Sequence, residues 1–298
     1  MTRQLVVNAD DLGLTGGVND GIFHAHDSGI LTSASLFAAA PATDDAIRRV
    51  HERPSLGIGV HLALVDGTPM LPPAVVPTLI AGDGRFHQSW RPFIAACLLR
   101  RVSLPEVERE LTAQIEHLRG RVHLTHLDAH KHVHAYPPVF AIVARLAARF
   151  AIPVVRVPYE RWSAVALGRD SSAPAAVRRQ ASLNALLWFW ARQNYRLAAQ
   201  HGLRTPAFVG RLATGALNRA VLRRMLRAVQ PGVTELMVHP GYVDEALRRM
   251  PTRLVESRSE ELSLLASLET RAAIAGERIH LVRHDLAPSP RRSVRHAS

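Results

Sequence analysis

The chain has one cysteine, Cys97, and one lysine, Lys131, among its 298 residues. A single thiol rules out internal disulfides and fits a reducing compartment, so the cytoplasm is the expected location. With lysine nearly absent, the formal net charge of +12 is carried by arginine. In so alanine-rich a chain this bias points to a GC-rich coding sequence. No nucleic-acid-binding motif accompanies the charge, and no nucleic-acid partner is expected. Peripheral contact with an acidic inner-membrane face is compatible with it. Also missing is any run of eighteen apolar residues, so no transmembrane span is expected. The opening MTRQLVVNADDLG has acidic residues where a signal peptide needs an apolar stretch, and reads as the first strand of the fold. There is no internal repeat.

What is present is an alternation of strand and helix. Gln4–Asn8 is a short apolar run ending in the carboxylates Asp10 and Asp11. Val18–Ser28 has helical spacing, Ile30–Phe37 reads as a strand, Asp44–Arg53 as a helix and Leu56–Leu62 as a third strand with His61 near its end. Residues 63–90, rich in Pro and Gly, form a long loop, expected over the site. Pro105–Arg119 and Pro138–Phe150 are helices, and Val154–Val157 a strand. After residue 168 come two long helices, then the strand Thr234–Val238 ending in His239-Pro240-Gly241, a single helix over Glu260–Ala275 and a last strand at Ile279–Val282. The pattern predicts a parallel sheet with crossover helices: a (β/α) barrel, regular or distorted, or an open doubly wound sheet. One domain is expected over residues 1–287, with a disordered basic tail over 288–298.

The densest chemistry lies in THLDAHKHVHAYP (Thr125–Pro137). His126, Asp128, His130, His132 and His134 fall on alternate positions, and an extended chain would turn all five to one side. Burying imidazoles beside a carboxylate is costly unless a metal or a hydrogen-bond network satisfies them. The competing readings are a solvated histidine-rich loop and core histidines bonded to backbone. Asp10-Asp11 alone is most often a turn or cap, and His61 alone a satisfied core histidine. All of them, with His239, sit at carboxyl ends of expected strands, where parallel α/β folds keep their sites. One carboxylate and two imidazoles suit a divalent ion, and a second carboxylate can take a proton from its water. A non-catalytic binding barrel would need neither Asp10 nor His239. A two-metal phosphoesterase would want more bridging carboxylates, and a glycosidase two separated ones.

The stretches VNADDLG (Val7–Gly13), GILTSASL (Gly29–Leu36), GVHL (Gly59–Leu62), THLDAHKHVHAYP and MVHPGY (Met237–Tyr242) resemble the YdjC family of metal-dependent carbohydrate N-deacetylases, which includes chito-oligosaccharide deacetylase. The resemblance implies a single-domain distorted TIM-type barrel with a helical insertion near residues 168–230. It implies a divalent metal, Mg2+ or Zn2+, and hydrolysis of an N-acetyl group from an N-acetylglucosamine-type sugar. By position in these motifs, Asp11, His61 and His130 would hold the metal, Asp10 would be the base and His239 the acid or oxyanion partner. Asp128, His126, His132, His134 and Arg156 would lie around the ligands or against the substrate. HLDAHKHVH, VRVPYE (Val155–Glu160) and FVGRLATGALN (Phe208–Asn218) resemble more narrowly the hopanoid-biosynthesis-associated members, which implies a hopanoid glycolipid substrate.

One stretch breaks the pattern. Leu186, Leu187, Trp188, Phe189 and Trp190 form an apolar run that covers more than one face of a helix. A buried lid helix or a homodimer contact would account for it. A lipid-facing wall built on Trp188 and Trp190 is the functional reading.

Overall fold

The computed structural model describes residues 2–160 and 175–285. The expected tail at 288–298, and the first residues of the expected insertion, lie outside the described residues. Seven strands make one sheet: β1 (Arg3–Leu12), β2 (Ser33–Leu36), β3 (Gly57–Leu62), β4 (Leu124–Ala129), β5 (Ala207–Val209), β6 (Gly232–Val238) and β7 (Ile279–Leu281). Their order is β4-β3-β2-β1-β6-β5, with β7 also paired to β1. Every pairing is parallel. Isolated parallel bridges run from Leu127 to Val155 and from Val154 to Arg204, just before β5. They join β4 to the segment that leads into β5.

The sheet is apolar outside and polar inside. Leu5, Val7 and Ala9 of β1 are buried within one hydrophobic cluster reaching from Leu5 to Ile279. Their strand neighbours Asn8 and Asp10 point the other way, as alternation requires. There they meet Ser35, His126 and Asp128: Asn8 Nδ2 donates to Ser35 Oγ (2.8 Å), Ser35 Oγ donates to Asp128 Oδ2 (2.7 Å) and lies 3.1 Å from His126 Nε2. This interior leaves no room for a side chain at Gly59, whose added Cβ would stand 2.4 Å from His126 Nε2. Among the described residues no helix is long and apolar enough to cross a membrane.

Several expectations need correction. The histidine strand ends at Ala129; His130–Ala135 is a 3-10 turn in which Lys131 (φ 50°) and His132 (φ 54°) adopt left-handed backbone. The chain must reverse there to enter the helix Pro137–Arg149, which starts on two prolines that fix its first turn. The five polar side chains therefore do not share one face. Val154–Val157 makes only isolated bridges, because it spans a gap between two edges. The helix expected over 260–275 is two, Glu256–Leu265 and Leu268–Gly276, divided where Ser267 caps the second by accepting from Thr270 N. The loop after β3 contains an unforeseen helix, Trp90–Leu98, and β5 was too short to read.

The insertion helix, Ala175–Gln200, docks on the histidine turn. Asn194 Nδ2 donates to Ala135 O (2.9 Å), and the Trp190 ring meets Tyr136 edge-on at 5.6 Å. The aromatic run is divided: Trp190 is half-buried, while Trp188 and Phe189 are 39% and 69% exposed.

Candidate active site

Three strand ends bring three donors together. Asp11, next to last in β1, has φ 70°, a left-handed conformation rare for a residue with a side chain, which swings its carboxylate towards β3 and β4. His61 lies on β3, and His130 is the first residue after β4. Asp11 Oδ1 is 3.5 Å from His61 Nε2 and 3.3 Å from His130 Nδ1. Asp11 Oδ1 is buried and has no hydrogen bond of good geometry among the described residues. Donors on a common ion about 2.1 Å away stand roughly 3.0–3.5 Å apart. These three, which lie within 4.8 Å of one another, fit such an ion.

Each imidazole is held from behind. His61 Nδ1 lies 2.7 Å from Asp128 Oδ1, and His130 Nε2 lies 3.1 Å from Asp66 Oδ2. The other oxygen of Asp11 accepts from Arg258 Nη2 at 2.5 Å. These contacts set the electrostatics. Burial would raise Asp11's pKa, but Arg258 and the two histidines hold it well below the usual carboxylate range. Burial opposes the charged form of His61, yet Asp128, with Asp11 and Asp10, pushes it up to about 10. His130 is raised too: burial works against it, and Asp11 and Asp66 prevail.

Asp10 also faces the interior, within reach of His61 and Asp128, and is locked. Arg156 donates to it twice, Nη1 to Oδ2 (2.8 Å) and Nη2 to Oδ1 (2.7 Å), and Asn8 Nδ2 adds a third bond at 3.0 Å. Burial would raise its pKa, but Arg156 outweighs burial and lowers it. His239, just past β6, is buried and donates its backbone N–H to Glu261 Oε2 at 2.6 Å. Burial lowers its imidazole to about 4 against the pull of Asp11 and Asp10, so it is neutral near pH 7.

The remaining residues of the histidine stretch lie apart from this cluster. His126 packs against His284 with ring centroids 4.1 Å apart and the planes tilted by 37°, deep inside the sheet. His132 packs edge-on to Phe208 at 5.7 Å, and His134 Nε2 lies 2.9 Å from Arg156 O. Burial lowers the pKa of all three, to about 4 for His134. They brace the turn and Arg156 rather than offering a donor to the Asp11 group. Trp188 and Trp190 sit on the insertion helix. Asp66, Arg258, Glu235 and Glu261 were not foreseen. Asp66 is one acid in a long loop, and Arg258 and Glu261 lie on a helix whose charged pattern resembles any solvated face, so position alone reveals them.

A parallel α/β sheet with an Asp–His–His group at its carboxyl ends defines the class of fold and site. The chain belongs to the YdjC-like protein family, whose model matches residues 4–276. It is 32% identical over 282 residues to a carbohydrate deacetylase of Brevibacillus brevis, covering 94% of this chain and 97% of that one. It is 31% identical over 289 residues to a carbohydrate deacetylase of Geobacillus stearothermophilus, covering 95% and 97%. A crystal structure from Enterococcus faecalis V583, described provisionally as a cellobiose-phosphate cleavage protein, superposes with a TM-score of 0.77 at 26% identity, covering 97% of this chain and all of that one.

Proposed function

We propose that the chain is a carbohydrate N-deacetylase that hydrolyses the acetamide of an N-acetylglucosamine-type sugar at a single divalent ion held by Asp11, His61 and His130. The observation that carries the reading is the convergence of two imidazoles, the buried His61 and the partly exposed His130, on the buried Asp11 Oδ1, with Asp10 and His239 close enough to act electrostatically. The similarity to carbohydrate deacetylases supports the substrate class. Two imidazoles and one carboxylate favour a zinc-like ion over Mg2+, which prefers oxygen donors. We read the fold as a distorted TIM-type barrel closed by the two isolated bridges, forming one domain over residues 1–287.

A divalent ion here would polarise the acetamide carbonyl and acidify a water. Asp11 offers a charged oxygen, and Asp128 and Asp66 hold the two imidazoles with the correct nitrogen forward. Asp10 is ionised and fixed, ready to accept a hydrogen bond from the attacking water. His239, neutral at rest, has a free lone pair and can carry a proton to the leaving amine only after receiving one. The lock on Asp10 weakens it as a base, which favours a second reading. There Asp10 orients the water, and His239 moves its proton to the nitrogen.

A finer reading makes the carrier a hopanoid glycolipid. The exposed Trp188 and Phe189 support it. So does a mainly apolar cavity of about 500 Å³ lined by Cys97, Arg100, Val102, Leu104, Pro105, Tyr136 and Pro138, whose Tyr136 also meets the Trp190 ring. Peripheral attachment at the inner membrane face and a cytoplasmic location accompany that reading, and a homodimer contact would cover the same aromatics. A chito-oligosaccharide substrate and a non-catalytic sugar-binding barrel are the alternatives. Mass spectrometry of N-acetylglucosamine oligomers and glycolipid extracts, incubated with the zinc-loaded chain, tests all of these. Loss of one acetyl mass identifies the bond and its carrier, and unchanged substrates overturn the enzymatic reading.

A further inference from the structure

Arg156 is 1% exposed, and its guanidinium is enclosed by three carboxylates from three strands. Nη2 lies 2.7 Å from Asp10 Oδ1, 2.7 Å from Asp128 Oδ2 and 2.6 Å from Glu235 Oε1. Nε donates to Glu235 Oε1 as well, at 2.8 Å. One nitrogen with two hydrogens therefore faces three oxygens at hydrogen-bonding distance, more than it can donate to. Oxygens gather this way around an ion rather than around an amine. Separately, Asp10, His61 and Asp128 form a second group of donors whose ligand atoms lie within 4.8 Å of one another. The guanidinium stands against two of those three.

We propose that Arg156 is a built-in cation, a positioning residue that fills the place a second divalent ion would take between Asp10, Asp128 and Glu235 and so keeps the centre mononuclear. Charge accounts for the arrangement. Asp10, Asp11, Asp128, Glu235 and Glu261 are five buried acids facing two buried guanidiniums, Arg156 and Arg258, and burial pushes Glu235 and Glu261 up to about 7. Two guanidiniums and one divalent ion at Asp11 already meet most of this negative charge, and a second ion would leave the group positive in a medium where unpaired charge is expensive. A guanidinium also differs from an ion in what it does. Its planar fork fixes Asp10 in one orientation through two parallel bonds, and it cannot lose its proton or exchange with solvent. Through Asp128 the same cation touches the residue that orients His61, so the acid beside the water and the ligand imidazole are set by one group.

The inference rests on the metal-centre reading, and the test separates them. Wild type, Arg156→Lys and Arg156→Ala are dialysed against Zn2+, and bound zinc is counted by inductively coupled plasma mass spectrometry. One equivalent is expected in wild type and in Arg156→Lys, which keeps the charge, and two in Arg156→Ala. One equivalent in both wild type and a folded Arg156→Ala removes this inference and leaves the metal centre standing. No zinc in wild type removes both, and two equivalents in wild type remove this inference directly. Should Arg156→Ala be unstable without metal, its melting temperature must rise with added Zn2+ by more than that of wild type, since more ions bind its folded state. An equal rise overturns the proposal.

Discussion

Asp66 Oδ2 stands 3.1 Å from His130 Nε2, across the ring from Asp11 Oδ1 at 3.3 Å from Nδ1. Asp128 holds His61 in the same relation, so each candidate imidazole has a carboxylate behind it. Asp66→Asn is expected to weaken Zn2+ affinity by about 10- to 100-fold with the fold intact, the usual effect of losing such a partner. His61→Ala and His130→Ala should purify folded and metal-poor. Calorimetric titration checks all three. Unchanged affinity in Asp66→Asn would mean that Lys131, 2.5 Å from the same oxygen, is its real partner.

In the proposed mechanism Asp10 and His239 divide the proton chemistry, and their variants separate the two readings of it. Asp10→Asn should keep its zinc and lose roughly two to four decades in kcat if Asp10 is the base. If Asp10 only orients the water, the loss is smaller and His239→Ala carries the larger one. The pH profile of kcat/KM sharpens the test. An acid limb near the His239 value of about 4 is expected when that imidazole must start neutral. A profile flat through that region excludes it as the proton carrier.

Much of this was legible in the sequence, and the failures share a cause. Strand ends carrying Asp10, Asp11, His61 and His239 could be read because a buried parallel strand is an apolar run that stops abruptly at polar residues. The face assigned to His126–His134 failed because alternation holds only while the chain is extended, and nothing in KHVHAYPP reports left-handed backbone at Lys131 and His132. Arg258 was invisible for another reason. Whether an arginine on an amphipathic helix meets water or Asp11 depends on how that helix packs on the sheet.

Acid should destabilise the fold through its neutral histidines. Burial holds His284 down at about 3 from 6.5, and among the described residues neither ring nitrogen has a hydrogen-bond partner. The unfolded chain takes up that proton below about pH 6.5. The stability it represents is therefore complete above 6.5 and is lost as pH falls towards 3. Thermal melts in chelator should show His284→Leu declining less steeply than wild type between pH 6.5 and 4, by up to about 1.4 kcal/mol per pH unit. His126, His132, His134 and His239 titrate in the same sense and keep the rest of the slope. Identical slopes would show that His284 is solvated.

The aromatic wall has its own test. Trp188→Ala, at an exposed position with Arg192 over its ring, is expected to fold normally and to lower kcat/KM on a lipid-linked substrate by about tenfold. It should spare a short soluble N-acetylglucosamine oligomer. Equal loss on both substrates makes the helix structural. Trp190→Ala should weaken both, because it also removes the contact with Tyr136 beside the histidine turn.

β1 is hydrogen-bonded to β2, β6 and β7. It is also the strand that carries Asn8, Asp10 and Asp11. The chemistry is thus mounted on the part of the molecule least able to open by itself. Amide exchange at Val7–Ala9 should proceed only through global unfolding, at the rate of the slowest protons in the chain. Any motion that admits a substrate must then come from the long loop after β3 and from the insertion helix. The walls move, and the floor is still.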